Sequence, residues 1–329
     1  MSLSSPKLTI SIVSWNAPEH LAKCLETIRL QQTSFEVETI VVDNASSEGN
    51  AERVRRDFPW ARLIVNAENL GFGAGHNKAI EAANGEFVFV LNPDTVLHDG
   101  ALETLVQFAE EHPEAAIIGP KHLSPLGDLQ YSCRTFPNPV AAMFRNTPLG
   151  RFFPNNRYTR DYLMTDWDHS SPREVDWVSG AAMLIRSDWL KAHGGFDERF
   201  FMYCEDVDIC KRAWESGWKV LYCPLASLTH VIGASTDRAV NKMLIAFHAS
   251  MYKYYKKHLV NETPFWLRAL APLGLSLRAT IFILANWRDA LLRKVAPRLA
   301  QPKSPPKDAN LVAESTKSRD GEKAPDQQA

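Results

Sequence analysis

Short apolar runs alternate with amphipathic segments along the first hundred residues. The apolar runs predict strands over Leu8–Ser14, Glu38–Asp43, Arg62–Val65 and Phe87–Leu91. Apolar residues at helical spacing between these runs predict helices over Pro18–Leu30, Asn50–Phe58 and Asn77–Ala83. Strands that alternate with helices are typical of βαβ units, so the pattern predicts an α/β fold with a mostly parallel sheet flanked by helices.

The middle of the chain is less regular. Residues 124–173 are rich in Pro, Asn and aromatic side chains, and we interpret them as a long loop region able to act as a mobile cover. Regular structure resumes beyond it. The predicted elements, in order, are a strand over Val175–Ile185, helices over Ser187–His193 and Asp206–Gly217, and a strand over Trp218–Cys223 that continues in strand-like sequence to Thr229.

The character of the sequence changes again at Pro264. Up to Pro297, leucines and other apolar residues form one broad face, and arginines lie mostly on the other. Because Arg278 interrupts the apolar run and Pro272 would kink an interior helix, we do not expect this segment to cross a bilayer. Two interpretations stay open: a basic amphipathic helix on an anionic membrane surface, or a helix docked on the protein or on a partner chain.

The predicted organisation follows from these changes. A main domain covers residues 1–260, and the amphipathic helical segment, associated with a membrane or a partner, covers 261–300. Residues 301–329 have almost no large apolar side chains and predict a disordered tail.

Composition and charge narrow the function classes. The 329 residues are 45% apolar and 23% charged, which is typical of a globular protein, and the formal net charge of -1 gives no sign of nucleic-acid binding. The five cysteines contain no C-x-x-C pair, so we expect reduced thiols rather than a disulfide framework or zinc site. The N-terminus lacks a basic region followed by an apolar core, which predicts no signal peptide and a cytoplasmic location. Assembly into a homo-oligomer stays open.

One cluster of carboxylates stands out. Glu205, Asp206 and Asp208 directly follow the apolar run Phe200–Tyr203. Apolar surroundings raise the pKa of a carboxyl group, which suits a general base that works near neutral pH. The alternative is the solvated first turn of a helix, where acidic residues are favoured.

Two further acids follow predicted strands. In parallel sheets, ligands bind beyond the carboxyl ends of the strands. Asp43 opens the polar run Asp43–Ser47 and would accept hydrogen bonds from a base or ribose, unless the run is only a structural turn. Asp94 follows the most apolar strand and could hold Mg²⁺ together with a bound diphosphate, unless it only caps a turn.

A glycine-rich loop and a histidine complete the candidates. The loop Asn69–Asn77 lies between a strand and a helix, but G-x-G-x-x-G fails because His76 takes the third glycine position. Its amides could approach a ligand, or the loop is a simple tight turn. His230 follows a strand, with Gly233, Ser235 and Arg238 behind it, and could contact metal and phosphate or be only a structural histidine.

Together these motifs resemble the family 2 glycosyltransferases of GT-A fold, and their rhamnosyltransferase-like branch in particular. The resemblance spans roughly residues 7–257. The matching segments occur in order, at Ser11–Asn16, Val41–Ser46, Asn69–Gly73, Leu91–Asp94, Gly195–Phe201 with Glu205–Asp208, and His230.

The resemblance implies a nucleotide-sugar donor, a divalent metal ion (Mg²⁺ or Mn²⁺) and inversion at the anomeric carbon. It implies that Asp206 is the catalytic base, that Glu205 orients it or the acceptor, and that Asp94 and His230 contact the metal. The donor-binding residues that it implies are Ser14, Asn16, Asp43, Asn69, Gly71, Asn92, Asp94 and Arg238. Asn92 stands where the D-x-D motif has its first acid, so the metal site has one carboxylate fewer.

The expected activity is therefore inverting transfer of a sugar, rhamnose from dTDP-rhamnose, to a lipid-linked or polysaccharide acceptor. This would serve cell-envelope glycan synthesis, with the protein peripheral on the inner face of the cell membrane. One alternative is a non-catalytic nucleotide-sugar-binding or scaffolding protein, which the intact Glu205 and Asp206 argue against. Another is an NAD-linked oxidoreductase, which only the glycine-rich loop suggests.

Overall fold

A computed structural model of the chain describes residues 5–138, 141, 144, 150, 152–231, 240–268 and 270–295. The predicted tail over 301–329 and the predicted donor contact Arg238 lie outside these residues. Within them, the α/β fold with a mostly parallel sheet and flanking helices is confirmed.

The strands form one large sheet and a small two-stranded ladder. In chain order they are β1 Leu8–Ser14, β2 Val37–Asp43, β3 Arg62–Val65, β4 Phe87–Leu91, β5 Thr95–Leu97, β6 Ala115–Leu123, β7 Leu129–Gln130, β8 Cys133–Arg134, β9 Arg173–Glu174, β10 Trp177–Val178, β11 Ala182–Arg186 and β12 Lys219–His230.

The helices connect or cover the strands. They are α1 Pro18–Leu30, α2 Asn50–Asp57, α3 Phe72–Ala82, α4 Ala101–Glu111, α5 Arg157–Leu163, α6 Ser187–His193, α7 Glu205–Glu215, α8 Val240–Tyr254 and α9 Leu270–Val295, with a π-helical turn at Tyr255–Leu259 and a 3-10 turn at Phe265–Leu267.

The strand order of the large sheet is β3-β2-β1-β4-β11-β6-β12-β5. Strands β3, β2, β1 and β4 are mutually parallel, and β6 is parallel to β12. Strand β11 is antiparallel to both β4 and β6, so those two strands also point the same way. The carboxyl ends of β1, β2, β4, β6 and β12 therefore meet at one edge of the sheet.

Apolar side chains fill both faces of the sheet. Along β4, Phe89 packs into a core with helices α1 and α4, whereas the next residue, Val90, packs into a second core with α6 and α7. This alternation follows from the two-residue period of a strand. It explains why β4 is apolar throughout, since neither face contacts water.

Several predicted boundaries were wrong. Helix α3 begins at Phe72 rather than Asn77, because Gly73 and Gly75 lie inside the helix, where the absence of a Cβ permits close packing, and only Gly71 before it has a positive φ. The predicted strand Val175–Ile185 is two strands, β10 and β11, separated at Ser179–Ala181. The region predicted as loop contains α5 and the short strands β7, β8 and β9.

The C-terminal helices pack against each other. Asn286 of α9 donates a hydrogen bond to Asn241 of α8 at 3.2 Å. Pro272 does not kink α9, because it lies in the first turn, where its missing amide costs no helical hydrogen bond. The stretch Leu270–Arg288 has a mean hydropathy of 1.3 and is long and apolar enough to cross a membrane by length and composition alone, with no buried residue.

Candidate active site

A cavity of about 710 Å³ opens at the sheet edge where the parallel strands end. Asn92 and Asp94 follow β4, His122 lies near the end of β6, and His230 ends β12, and all four line the cavity. Glu205 and Asp206 line the same cavity. The fold therefore brings together the predicted metal-binding and catalytic residues.

The backbone of Gly180 positions the predicted base. Its amide donates a hydrogen bond to Asp206 Oδ2 at 3.1 Å, and the amide of Val207 donates to Oδ1 at 2.9 Å. Burial nevertheless raises the pKa of Asp206 above its ordinary value, against these hydrogen bonds. A carboxylate that is held in place and retains proton affinity has the properties of a general base.

Glu205 is more deeply buried than Asp206. It is 5% exposed, and its Oε2 atom has no hydrogen-bond partner within the described part of the chain. Burial raises its pKa well above the ordinary value, and the neighbouring charge of Asp206 raises it further. The interpretation of this region as a solvated helix start is therefore wrong for Glu205.

A strained turn delivers this pair to the cavity. Tyr203 and Cys204 both have positive φ angles, 69° and 68°, and helix α7 begins immediately afterwards at Glu205. Such angles are unfavourable for residues other than glycine and require support from the surrounding structure. One such support is Ser250 of α8, whose hydroxyl donates to the carbonyl of Met202 at 2.8 Å.

The glycine-rich loop provides another support. The amide of Phe72 donates to the carbonyl of Phe201 at 2.8 Å. A Cβ atom on Gly71 would lie 2.2 Å from that same carbonyl oxygen, and one on Gly73 would lie 2.9 Å from Phe196 Cβ. These glycines thus permit close contact with the segment that carries the base, which neither the dinucleotide-binding nor the tight-turn interpretation predicted.

Asp208 is the centre of a buried ionic cluster. Its carboxylate is fully buried and contacts Arg212 at 3.1 Å, Lys257 at 2.6 Å and His258 at 2.7 Å. Burial raises its pKa, but hydrogen bonds from His258 and Lys257 outweigh that effect and leave the pKa below its ordinary value. Lys257 also contacts Asp197 at 2.7 Å. The cluster ties the first turn of α7 to the π-helical turn after α8.

The predicted metal ligands lie together. His230 Nε2 is 3.4 Å from Asp94 Oδ1 and 3.5 Å from the side-chain nitrogen Nδ2 of Asn92. Asp94 Oδ1 is buried and has no hydrogen-bond partner among the described residues. A buried carboxylate oxygen without a partner, beside an imidazole, fits a divalent ion that a diphosphate also coordinates. The described residues contain no cluster of three or more His, Cys, Asp or Glu side chains that could hold a metal by itself.

Three predicted donor contacts instead bond within the protein: Ser14 and Asn16 bond to the segment after β2, and Asp43 bonds within that segment. Ser14 Oγ accepts from Asn50 at 2.7 Å, and Asn16 Oδ1 accepts from the amide of Ser47 at 2.8 Å. Asp43 accepts a long bond of 3.3 Å from the amide of Ser46, and its buried Oδ1 has no partner within the described ranges. These three side chains do not line the cavity.

The predicted donor residues Asn69 and Gly71 do line the cavity. Asn44, which we did not single out, lines it as well. The Asn44 side chain donates to Asn69 Oδ1 at 3.2 Å and to the Gly71 carbonyl at 2.8 Å. It therefore fixes the loop that forms this wall. Asn44 belongs to the polar run Asp43–Ser47 after β2, and that position in the sequence could have identified it as a site residue.

Sequence reasoning also missed His122 and Arg134. The His122 ring packs edge-on against His230, with centroids 5.8 Å apart, and burial lowers its pKa well below the ordinary value. Arg134 lies in the region without periodicity, which gave no signal for it.

Helix α8 supplies a mostly apolar part of the cavity wall. It contributes Met243, Ala246, Phe247 and Met251, together with the cationic Lys242. The cavity thus combines the carboxylates of Asp94, Glu205 and Asp206 with an apolar surface that includes two methionines.

Comparisons with known proteins identify the family of the chain. Residues 6–245 match the family described as glycosyltransferase like family 2. The chain is 31% identical over 305 residues, 88% of its length, to 96% of the N-acetylglucosaminyl-diphospho-decaprenol L-rhamnosyltransferase of Mycobacterium tuberculosis (strain ATCC 25618 / H37Rv). It is 27% identical over 232 residues to rhamnosyltransferase WbbL of Escherichia coli (strain K12), covering 67% of this chain and 82% of that one.

Solved structures share the fold. The mannosyltransferase PcManGT from Pyrobaculum calidifontis, in complex with GDP-Man and Mn²⁺, matches with a TM-score of 0.51 at 16% identity, over 91% of this chain and 82% of that one. GalNAc-T7 with UDP, GalNAc and Mn²⁺ matches with a TM-score of 0.52 at 14% identity, over 70% of this chain and 44% of that one. From the family match, the chain belongs to the family 2 glycosyltransferases, with the GT-A fold.

Proposed function

We propose that this glycosyltransferase transfers rhamnose from dTDP-rhamnose, with inversion, to a hydroxyl group of a lipid-linked acceptor. The 31% identical mycobacterial relative supports this choice, since its name specifies an L-rhamnosyl group and a diphospho-decaprenol acceptor. The Escherichia coli relative is also a rhamnosyltransferase.

The observation that carries the proposal is the Glu205–Asp206 pair on the cavity wall, in which Glu205 is buried and Asp206 is half-buried. Asp206 would accept the proton of the acceptor hydroxyl while that oxygen bonds to the anomeric carbon. The bond from that carbon to the donor phosphate oxygen breaks on the opposite face, and the electron pair leaves with the nucleoside diphosphate. Glu205, directly before Asp206, would keep its proton at higher pH and orient the base or the acceptor.

Asp94 and His230 would hold Mg²⁺ or Mn²⁺ at the donor diphosphate, with Asn92 beside them. When bound, the ion neutralises negative charge on the diphosphate. The chain's own part in this region is to fix the strand end: the Thr95 hydroxyl donates to the Asn92 carbonyl at 2.7 Å, and the Val231 amide donates to the Asp94 carbonyl at 2.9 Å.

The acceptor would enter from a membrane surface. Helix α9 exposes a row of apolar side chains at helical spacing, each at least 54% exposed: Leu270, Leu273, Leu277, Ile281, Leu284 and Trp287. Arg268 and Arg288 are exposed near the two ends of this row, which suits an anionic lipid surface. Arg278 of the same helix lines the cavity, so the membrane-facing helix and the acceptor side adjoin. We place the protein on the inner face of the cell membrane.

A donor panel tests the activity. The protein is incubated with dTDP-rhamnose, UDP-GlcNAc or GDP-mannose and a short-chain GlcNAc-diphospho-lipid, and both nucleoside diphosphate release and product mass are measured. Product with dTDP-rhamnose only is expected. Product with another sugar alone would overturn the donor, and donor binding without product from any of them would favour a scaffolding protein.

Vesicle co-sedimentation tests the location. The Leu277→Glu/Leu284→Glu variant should lose binding to phosphatidylglycerol vesicles. Leu225→Glu is the matched control, because Leu225 is 68% exposed but lies on β12. Equal retention of both variants would contradict a membrane role for α9.

A further inference from the structure

Arg134 is a buried cation on the cavity wall. It is 5% exposed, yet its guanidinium makes no hydrogen bond and no ion pair with any residue that the structure describes, and its Nε atom is buried without a partner. Burying an unpaired charge is costly, and a guanidinium does not escape the cost by losing its proton. Such a group is suited to binding an anionic ligand.

The surrounding structure fixes the guanidinium in place. Arg134 is paired with Trp177 across the β8–β10 ladder, and its guanidinium carbon lies 4.9 Å from the Trp177 ring centroid. The Trp177 indole in turn donates to the Thr135 carbonyl at 2.9 Å. A planar guanidinium held against an aromatic ring is organised in advance for an anion that accepts two hydrogen bonds.

Arg134 lines the cavity between the two groups of site residues. Its charge lowers the pKa of His122 and opposes the rise in the pKa of Asp206, so it acts on both groups without bonding to either. A phosphate-bearing ligand in the cavity would therefore meet a guanidinium that no hydrogen bond or ion pair to a described residue occupies.

We propose that Arg134 binds phosphate oxygens of a diphosphate group in this cavity. The inference rests on the proposed function, in which two substrates carry a diphosphate: the donor nucleotide and the lipid-linked acceptor. Both offer the same chemistry to the guanidinium, and binding measurements distinguish them.

The test uses isothermal calorimetry on the full chain with three probes: inorganic pyrophosphate, dTDP, and a short-chain GlcNAc-diphospho-lipid. Arg134→Gln should weaken pyrophosphate binding about ten- to a hundredfold, as expected for loss of a charge-assisted bond. If Arg134→Gln also weakens dTDP binding, Arg134 binds the diphosphate of the donor. If it weakens binding of the lipid, and the KM for a GlcNAc glycoside without a diphosphate is unchanged, Arg134 binds the diphosphate of the acceptor.

Arg173→Gln is the matched control. Arg173 also lies over a tryptophan ring, with its guanidinium carbon 5.2 Å from the Trp167 centroid, but it is exposed, paired with Asp166 and outside the cavity. This control should bind all three probes as the wild type does.

Stability separates ligand binding from a structural role. Without ligand, Arg134→Gln should unfold at the same or a higher temperature than the wild type, because it removes an unpaired buried charge. A lower unfolding temperature with unchanged binding of all three probes would overturn the inference. If Arg134→Gln does not fold, Arg134→Lys takes its place, because it keeps the positive charge but loses the planar guanidinium that donates two hydrogen bonds. Unchanged binding of the probes by that variant would also overturn the inference. Binding of pyrophosphate needs no turnover, so absence of sugar transfer would contradict the proposed function alone.

Discussion

The backbone amide of Gly180 lies 3.1 Å from Asp206 Oδ2 and donates a hydrogen bond to it. Gly180 lies two residues before β11, which runs antiparallel between β4 and β6, so the bond ties the predicted base to the centre of the sheet. A Cβ atom on Gly180 would lie 3.3 Å from Asp206 Cβ, which leaves little room for a larger residue. The position of the base is thus set by contact with the segment that leads into a central strand.

The first prediction concerns the pH dependence of activity. Because burial raises the pKa of Asp206, kcat/KM should rise with pH through a pKa above that of an ordinary aspartate and then level off. Glu205 and Arg134 are the neighbouring charged groups that act on this titration. Initial rates across a pH series at fixed ionic strength measure it. A flat profile down to the pKa of a free carboxyl group would contradict the assignment.

The raised pKa values of Glu205 and Asp206 also make the free energy of unfolding depend on pH. Raised carboxyl pKa values mean that the folded protein holds protons which the unfolded chain releases. The contribution of Glu205 and Asp206 is therefore fully present below their ordinary pKa values and is lost as the pH rises through the raised ones. Their replacement by Gln and Asn should flatten this part of the curve of unfolding free energy against pH.

The second prediction concerns Asp208. Asp208→Asn leaves Arg212, Lys257 and His258 without their buried counter-charge and should lower the free energy of unfolding by about 3–5 kcal/mol. The pKa of Asp208 is lowered in the fold, so its stabilisation is present above the ordinary aspartate pKa and is lost as the pH falls through the lowered value. Urea unfolding at neutral and acid pH measures both effects.

Asp161→Asn is the matched control for this experiment. Asp161 and Arg157 have the same four-residue spacing as Asp208 and Arg212 and the same 3.1 Å separation, but their side chains are exposed. Because this pair is exposed, Asp161→Asn should lower the free energy of unfolding by less than about 0.5 kcal/mol. Equal effects of the two substitutions would show that burial does not decide the strength of the Asp208 cluster.

The third prediction concerns the contact between the glycine-rich loop and the catalytic segment. Gly71→Ala combines an unfavourable φ of +88° with a clash against the Phe201 carbonyl, and should cost about 2–4 kcal/mol and reduce turnover. Gly49→Ala has a similar φ of +76° but meets no atom within 4 Å, so it should cost only the strain, about 1–2 kcal/mol, and keep its turnover. Thermal unfolding and initial rates compare the two. Identical losses would contradict the close-packing role of Gly71.

The fourth prediction concerns the metal site. Asn92→Asp adds a carboxylate beside Asp94 and His230 and should tighten Mn²⁺ binding in the presence of dTDP. Asn69→Asp adds the same charge to another wall of the cavity and should change Mn²⁺ affinity much less. Calorimetric Mn²⁺ titrations measure both. An equal change in the two variants would show a general charge effect, not a metal site at Asn92.

The motif residues could be predicted because their position follows from local sequence. Asn92 and Asp94 follow β4 and His230 ends β12, and parallel strands place their carboxyl ends at one edge of the sheet. Glu205 and Asp206 lie at a helix start behind apolar residues, which is visible in the sequence. These two local patterns, polar residues at strand ends and acids behind an apolar run, predict most of the candidate site.

Other features depend on contacts between distant segments and could not be predicted. The glycines around the start of α3 looked like a turn because helix propensity argues against glycine. Gly71, just before the helix, instead contacts Phe201, and Gly73, inside it, contacts Phe196. Arg134 lies on a two-residue strand in an aperiodic region, and its missing partner is visible only in three dimensions. The break between β10 and β11 depends on their different partners, β8 and β4.

The most direct test of the account is the turnover of Asp206→Asn with dTDP-rhamnose and the lipid-linked acceptor. The account predicts that kcat falls by roughly 10²–10⁴, while dTDP binding and the unfolding temperature are maintained. Near-normal turnover in the folded Asp206→Asn protein would contradict the assignment of Asp206 as the base.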